Sequence, residues 1–202
     1  MPPSGGEPRD DAVDHERFRR VMASFVTGVT VITTQVRGEV RGMTANAFMS
    51  GSLDPPLCVV SVSKTARMQG FLIKSGDFGV SILARGQEAL IGHFAGRPVE
   101  GLDLKYDYAG GTPLLAHAQA TIAAKVTARH DCGDHSLFVG QIFALRHSEG
   151  LSPIVLHVGR LARSGIPTSR DWSRHSISGE AAPLLAKPQK PASYFGAPRR
   201  TW

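Results

Sequence analysis

Apolar residues recur along this chain with two spacings, which together predict a mainly β domain with short helices. Phe18, Val21, Met22 and Phe25 share one helical face, and Asp14 stands where it can cap that helix. The β-branched run 29–36 predicts a strand, followed by a hairpin turn at 37–39. Further strands are predicted at 56–63, 77–83, 118–131, 136–148 and 153–163. Further helices are predicted at 66–76 and 86–96. In the second helix, Ala89, Ile91 and Phe94 are available for packing. A glycine-rich loop follows through Gly101, Gly110 and Gly111.

Strands outnumber helices in this pattern, and the helices connect them. The pattern predicts a Greek-key antiparallel barrel with peripheral helices rather than a doubly wound parallel sheet. No G-x-G-x-x-G follows the first strand, which also disfavours a dinucleotide-binding Rossmann domain. We expect a disordered lead-in over 1–13, one domain over 14–165 and a proline-rich extension over 166–202.

Composition narrows the class of protein. A chain of 202 residues with 42% hydrophobic content can bury one substantial core. Cys58 and Cys132 fit no metal or redox spacing, and we expect two reduced, buried thiols in a cytoplasmic protein. No apolar run approaches the roughly eighteen residues of a membrane span, and no signal-peptide pattern opens the chain. We therefore expect no membrane association.

The net charge of +6 is unevenly distributed. Residues 1–16 carry one basic and five acidic side chains, whereas residues 166–202 carry six basic and two acidic ones. The charges of these two ends, −4 and +4, cancel, so residues 17–165 carry the whole net charge of +6. The basic residues of this segment are scattered and not interleaved with aromatics, so we expect an anionic small ligand rather than nucleic acid.

The stretch GMTANAF, residues 42–48, predicts a polar loop of low bulk between two buried segments. Small side chains would let backbone amides approach the polar edge of a flat ligand, with Thr44 and Asn46 adding side-chain bonds. A polar β-turn in which Asn46 caps its own backbone fits the same residues. The stretch alone leaves both interpretations open.

Several blocks in order carry a family resemblance. F-x-x-x-M-x-x-F-x-T-G-V-T-V-I-T-T is followed by G-M-T-A-N-A-F-x-S-x-S-L-D-P-P-L, and later by F-G-V-S-I-L-A, H-F-A-G and C-G-D-H-S-L-F-V-G-Q-I. Over roughly 17–164 the chain resembles the flavin reductase-like family. The resemblance implies an FMN-binding split β-barrel of six strands, usually a homodimer. It also implies hydride transfer from NADH or NADPH to FMN or FAD, with reduced flavin passing to a separate monooxygenase.

The resemblance also implies which residues line the flavin. At the end of the predicted strand 56–63, the hydroxyls of Ser61 and Ser63 and the ammonium of Lys64 could donate hydrogen bonds to an anion. The guanidinium of Arg97 could make a bidentate contact with a phosphate. The alternatives are that residues 61–64 form an ordinary exposed strand end, that residues 81–83 form a strand of the core, and that Arg97 is a surface arginine. The implied cofactor-binding residues are Met43, Thr44, Ala45, Asn46, Ser61, Val62, Ser63, Lys64, Ser81, Ile82, Leu83, Phe94, Ala95, Gly96 and Arg97.

His135 is the candidate catalytic side chain. It lies in C-G-D-H, where the resemblance implies a loop at the mouth of the site that contacts the nicotinamide. A solvated turn histidine held by Asp134 is the alternative. His93 fits the surface of a helix, and the other histidines show no ligand spacing, so we expect no metal site.

The last strand departs from the family pattern, because Leu156 and Leu161 stand where aromatics are common. Two other functions stay open: a flavoprotein that retains FMN and reduces a metal complex or other acceptor, and a flavin- or haem-binding protein without catalysis. The sequence does not distinguish FMN from FAD or NADH from NADPH.

Overall fold

The computed structural model describes residues 13–162, which form three short helices and twelve strands. The predicted lead-in, except for its last residue, and the predicted extension lie outside the described residues. The helices are α1 His15–Ala23, α2 Arg67–Ser75 and α3 Glu88–Phe94. The strands are β1 Thr27–Gly28, β2 Thr30–Val36, β3 Glu39–Ala45, β4 Phe48–Leu53, β5 Pro56–Ser63, β6 Asp77–Ile82, β7 Tyr106–Ala109, β8 Thr112–Leu115, β9 Ala120–Cys132, β10 His135–His147, β11 Val155–His157 and β12 Arg160–Ala162.

Seven strands form one antiparallel sheet in the order β3-β2-β6-β9-β10-β5-β4. Its two edge strands, β3 and β4, are consecutive in the chain and are separated only by Asn46 and Ala47. Three extended steps span at most about 11 Å, so the two edges must meet at this corner. The sheet is therefore strongly curled, yet among the described strands no ladder joins β3 to β4. The antiparallel, mainly β prediction is confirmed.

Two apolar clusters fill the space on either side of β2. Ile32 packs into the first cluster and its neighbour Val31 into the second, because successive side chains of a strand point to opposite faces. The first cluster is formed by β2, β5, β6, β9, β10 and α2, with Val60, Phe78 and Phe138 fully buried. The second cluster places Leu90 of α3 against the β8 and β11 region. α3 is thereby fixed to the outside of the sheet.

The first helix begins as predicted, but its apolar face is not buried. Oδ1 of Asp14 accepts the Arg17 backbone N–H at 2.6 Å, the usual side-chain cap. α1 has no buried residue, and Phe18 and Met22 are more than half exposed. The helical spacing was correct, but the described part of the chain supplies no surface to cover this face.

The low-bulk loop predicted at 42–48 is wrong over most of its length. Residues Gly42–Ala45 belong to β3, which pairs with β2 from Glu39 through Ala45. Ladder hydrogen bonds and the packing of Met43 against the core outweigh the low strand propensity of Gly42. Only Asn46 and Ala47 lie between strands.

Three other sequence predictions need correction. The predicted strand 153–163 is a small hairpin, because Val158 and Gly159 both have positive φ and reverse the chain between β11 and β12. The predicted glycine-rich loop contains the β7–β8 hairpin. In α3, Ile91 and Phe94 pack against the second cluster as predicted, but Ala89 is exposed and Leu90 is the buried residue.

The two cysteines differ in their surroundings. Cys58 is buried as predicted, and burial raises the pKa of its thiol to about 11. Cys132 is exposed at the end of β9, contrary to the prediction. Within residues 13–162, none of the helices is long and apolar enough to cross a bilayer.

Gly79 provides a test of the packing between β6 and the β7–β8 hairpin. A Cβ at this position would overlap the Pro113 carbonyl oxygen and lie 2.6 Å from Thr33 Oγ1. Because the main-chain oxygen cannot swing aside, we expect Gly79→Ala to lower the free energy of unfolding by about 3 kcal/mol. Denaturant unfolding measures the change.

Gly70→Ala is the matched control, since a Cβ there meets nothing within 4 Å inside α2. We expect this variant to gain about 0.5–1 kcal/mol from helix propensity. Equal effects of the two substitutions would contradict the packing described for Gly79.

Candidate functional site

An open groove of about 660 Å³ lies between β3, the start of α2 and the end of α3. Its apolar lining includes Met43, Met68 and Phe71, and two guanidinium-bearing residues, Arg41 and Arg67, also line it. Apolar area with a few charged donors suits a ligand that has both a flat ring and an anionic group. The residues present therefore fit a flavin nucleotide.

One wall of the groove depends on the contact between β3 and α3. A Cβ at Gly42 would overlap the Phe94 ring, so glycine is required for that ring to lie against the strand. The Thr44 hydroxyl donates to the Ile91 carbonyl oxygen at 2.8 Å. Both contacts hold α3 on the outer face of β3, and the predicted ligand residue Thr44 already uses its hydroxyl for this purpose.

A stacked cation links β3 to α2 in the groove. The Arg41 guanidinium lies over the Phe71 ring, 5.3 Å from its centroid, and also pairs with Glu39. These contacts fix the direction of a long side chain that would otherwise move freely. Arg41 therefore contributes a positioned positive charge at the edge of the groove.

A second cluster lies at the tip of the β9–β10 hairpin. His135 faces Ser63 of β5 in the strand register, and Lys64 Nζ lies 3.4 Å from Asp131 Oδ2. The Lys64 backbone N–H also donates to the Asp134 carbonyl oxygen at 2.9 Å. The structure thus brings together Ser63, Lys64 and His135, three of the predicted site residues.

The chemistry of His135 follows from its neighbour Asp134. Nδ1 of His135 lies 2.8 Å from the Asp134 carboxylate, which accepts its hydrogen bond. This hydrogen bond and, second, the positive charge of the ring in its protonated form hold the pKa of Asp134 below its usual value. An ionised carboxylate only accepts, so Nδ1 carries the proton and Nε2 of the neutral ring is an acceptor. The His135 side chain is 41% exposed.

The first turn of α2 connects the two clusters. Lys64 belongs to the hairpin cluster, and Ala66, two residues later, lines the groove. The side-chain amide of Gln69 on α2 lies 3.1 Å from Ser136 Oγ on β10, beside His135. The segment that enters α2 and the Gln69–Ser136 contact therefore link the groove to the hairpin tip.

Several predicted site residues lie inside the domain. Val62 is buried in the core, because alternation along β5 turns it away from Ser61 and Ser63. Ser81 is fully buried, and its hydroxyl accepts the Leu115 backbone N–H at 2.9 Å. These contacts favour structural roles for Val62 and Ser81.

The residues that follow Ser81 are also committed to internal contacts. The Ile82 carbonyl oxygen accepts the Gln119 N–H at 2.9 Å. Leu83 is fully buried in the second apolar cluster, and its backbone pairs with Val29 and Ile154.

The remaining predicted residues divide between the groove and the surface. Phe94, Ala95 and Gly96 line the groove together with Met43, although these residues are distant in sequence. Ala45 packs against the core. Asn46 and Arg97 are exposed and are not among the groove-lining residues.

The groove residues that the sequence did not reveal include Arg41, Arg67, Phe71 and His93. Arg41 and Met43 alternate on β3, but nothing in that alternation shows that α2 approaches the strand. His93 was assigned to a helix surface, although it precedes the groove residue Phe94 directly. Consecutive residues of a helix point about 100° apart, so the spacing alone did not show that both side chains reach the groove.

A curled antiparallel sheet with helices packed against its edge strand places the chain among β-barrel proteins. The model of the flavin reductase like domain family matches residues 22–165, most of the described chain. The chain belongs to this family.

Two curated relatives are similar over most of their length. An NADH-dependent flavin reductase of Rhodococcus sp is 40% identical over 153 residues, which cover 74% of this chain and 86% of that protein. The reductase component of 4-hydroxyphenylacetate 3-monooxygenase from Thermus thermophilus is 41% identical over 140 residues, covering 69% and 90%.

Among solved structures, the flavin reductase PheA2 in its native state superposes with a TM-score of 0.72. It is 38% identical, and the match covers 75% of this chain and 98% of that one. The split-barrel prediction is confirmed, with the ladder between β3 and β4 absent as described above.

Proposed function

We propose that this protein is an NADH-dependent flavin reductase that supplies reduced FMN or FAD to a separate monooxygenase. The family match over residues 22–165 carries this proposal, together with the names of the two curated relatives. The groove adds physical support, because it combines apolar area with a positioned positive charge.

The bound flavin and nicotinamide would supply the hydride chemistry themselves. The protein's task is to hold the two ligands against each other and exclude unproductive orientations. In this proposal Arg41 and Arg67 attract the anionic part of the flavin, while Met43 and Phe94 give its flat part an apolar surface. The Nε2 acceptor of His135 receives the carboxamide N–H of the nicotinamide.

The test of the function is an anaerobic titration of protein and excess FMN with NADH, repeated with FAD and with NADPH. We expect catalytic loss of the oxidised-flavin absorbance with NADH, and most of the flavin should pass an ultrafiltration membrane. Bleaching restricted to retained flavin would instead indicate a prosthetic group. Absence of bleaching under every condition would leave a binding protein without catalysis.

His135→Ala tests the nicotinamide contact. Losing one hydrogen bond should raise the KM for NADH about three- to tenfold. The KM for flavin should change much less, because the groove residues stay in place. Steady-state kinetics with each substrate varied in turn measures both constants.

His147→Ala is the matched control, since His147 is exposed at the opposite end of the same strand. It should leave both constants unchanged. An unaltered KM for NADH in His135→Ala would remove His135 from the proposed nicotinamide site.

We also propose that the protein is a cytoplasmic homodimer, with an interface that includes the α1 patch. This patch consists of Phe18, Val21, Met22, Phe25 and Val158, each more than half exposed. Its two parts are adjacent, because the Val158 N–H donates to the carbonyl oxygen of Ala23 at 2.9 Å. A contiguous exposed apolar patch of this kind is typical of a protein–protein interface.

Phe25→Ser tests the α1 patch. Because Phe25 is 72% exposed, the substitution should leave the folded subunit intact while weakening association. Sedimentation velocity should show a dimer for the unaltered protein and a shift toward monomer for the variant. Leu53→Ser, which changes an even more exposed residue at the end of β4, should remain dimeric. A monomeric unaltered protein would contradict the proposed dimer.

A further inference from the structure

His93 is held on two sides near the end of α3. Its Nδ1 lies 3.1 Å from the backbone nitrogen of Val99, and its ring makes an edge contact with Phe94 at a centroid distance of 5.0 Å. The Arg97 N–H donates to the Gly92 carbonyl oxygen at 3.0 Å. The segment 95–98 is therefore closed into a loop, with the His93 ring bonded to the residue that follows it.

The hydrogen bond to Val99 determines the proton position on the ring. A backbone N–H can only donate, so Nδ1 of His93 must accept. The neutral ring then carries its proton on Nε2, and its second nitrogen is a donor. His135 has the opposite arrangement, because its Nδ1 donates to Asp134 and its Nε2 accepts.

The position of His93 indicates what kind of ligand its Nε2–H donor could bind. His93 is partly buried and lines the groove, as do Ala95, Gly96 and Pro98 of the loop it holds. Arg41 and Arg67 line the same groove, so an anionic, oxygen-bearing ligand is favoured over a cationic one. Such a ligand offers acceptors, which match an N–H donor.

We propose that His93 is a flavin-binding residue and that its two ring nitrogens have separate roles. Nε2–H donates to an oxygen of the flavin's ribityl–phosphate portion, while Nδ1 holds the loop 95–98 that completes the groove wall. This inference rests on the proposed flavin reductase function. It assigns to His93 a role that the sequence pattern of a helix surface does not indicate.

Two substitutions distinguish the role of Nδ1 from the role of Nε2. In His93→Asn the side-chain oxygen can replace Nδ1 as the acceptor for Val99, but no group replaces the Nε2 donor. In His93→Gln the longer amide can donate near the position of Nε2, while the acceptor for Val99 is lost. Hydrogen exchange at the Val99 amide reports the first role, and the Kd for FMN from flavin fluorescence reports the second. Titrations with FAD repeat the comparison.

We expect His93→Asn to bind FMN about three- to tenfold more weakly than the unaltered protein, with protection of the Val99 amide retained. His93→Gln should lose that protection and have a lower melting temperature, yet bind FMN more tightly than His93→Asn. His147→Asn, far from the groove on β10, should match the unaltered protein in all three measurements.

Equal FMN affinity of His93→Asn and His93→Gln would overturn the proposed contact, whatever happens to Val99. Unaltered affinity in His93→Asn would also overturn it and leave His93 a structural residue. If the unaltered protein binds neither FMN nor FAD, the proposed reductase function fails as well. If it binds flavin but His93→Asn is normal, only the role of His93 fails.

Discussion

The two-residue connection between β3 and β4 is the constraint on which the rest of the structure depends. It ties together the opposite edges of a seven-stranded sheet, so the sheet must curl instead of lying open. Curling places side chains of five of its strands around one apolar cluster. It also leaves β3 as an unpaired edge, against which α3 and the start of α2 can pack. The groove is therefore a consequence of how the sheet closes.

The groove and the hairpin tip provide complementary chemistry. The groove offers charged guanidinium groups and apolar area, and His93 contributes a donor there. The hairpin offers an acceptor, because Asp134 fixes the proton of His135 on Nδ1. Both histidine assignments follow from a single neighbouring group, a backbone N–H in one case and a carboxylate in the other. Local hydrogen bonds thus determine what each imidazole can do.

Local patterns predicted most elements correctly, because their signals lie within a few residues. Asp14 caps α1, Gly76 ends α2 in the left-handed conformation, and Gly133 with Asp134 turns the long hairpin. The predicted loop at 42–48 failed because pairing with β2 decides its conformation, and that pairing is not visible in GMTANAF itself.

The site was only partly predictable for the same reason. Resemblance to a family pointed to Met43 and the segment from Phe94 to Gly96, which line the groove, and to His135 at the hairpin tip. It could not show that Ser81 is buried under Leu115 or that Arg41 meets Phe71, because both contacts join residues about 30 positions apart. Burial and partner choice are properties of the folded arrangement, and they decide which of the candidate groups remain available to a ligand.

The strand order also determines how this domain must assemble. Among the described strands, β4 and β5 join the rest of the sheet only through β10, which follows β5 by more than 70 residues. A growing chain therefore carries β5 with an unpaired edge until the β9–β10 hairpin has been made. Non-local pairing of this kind slows folding and exposes strand edges that can associate between chains. The long β9–β10 hairpin can form early from local contacts, and it then provides the template on which the earlier strands are ordered.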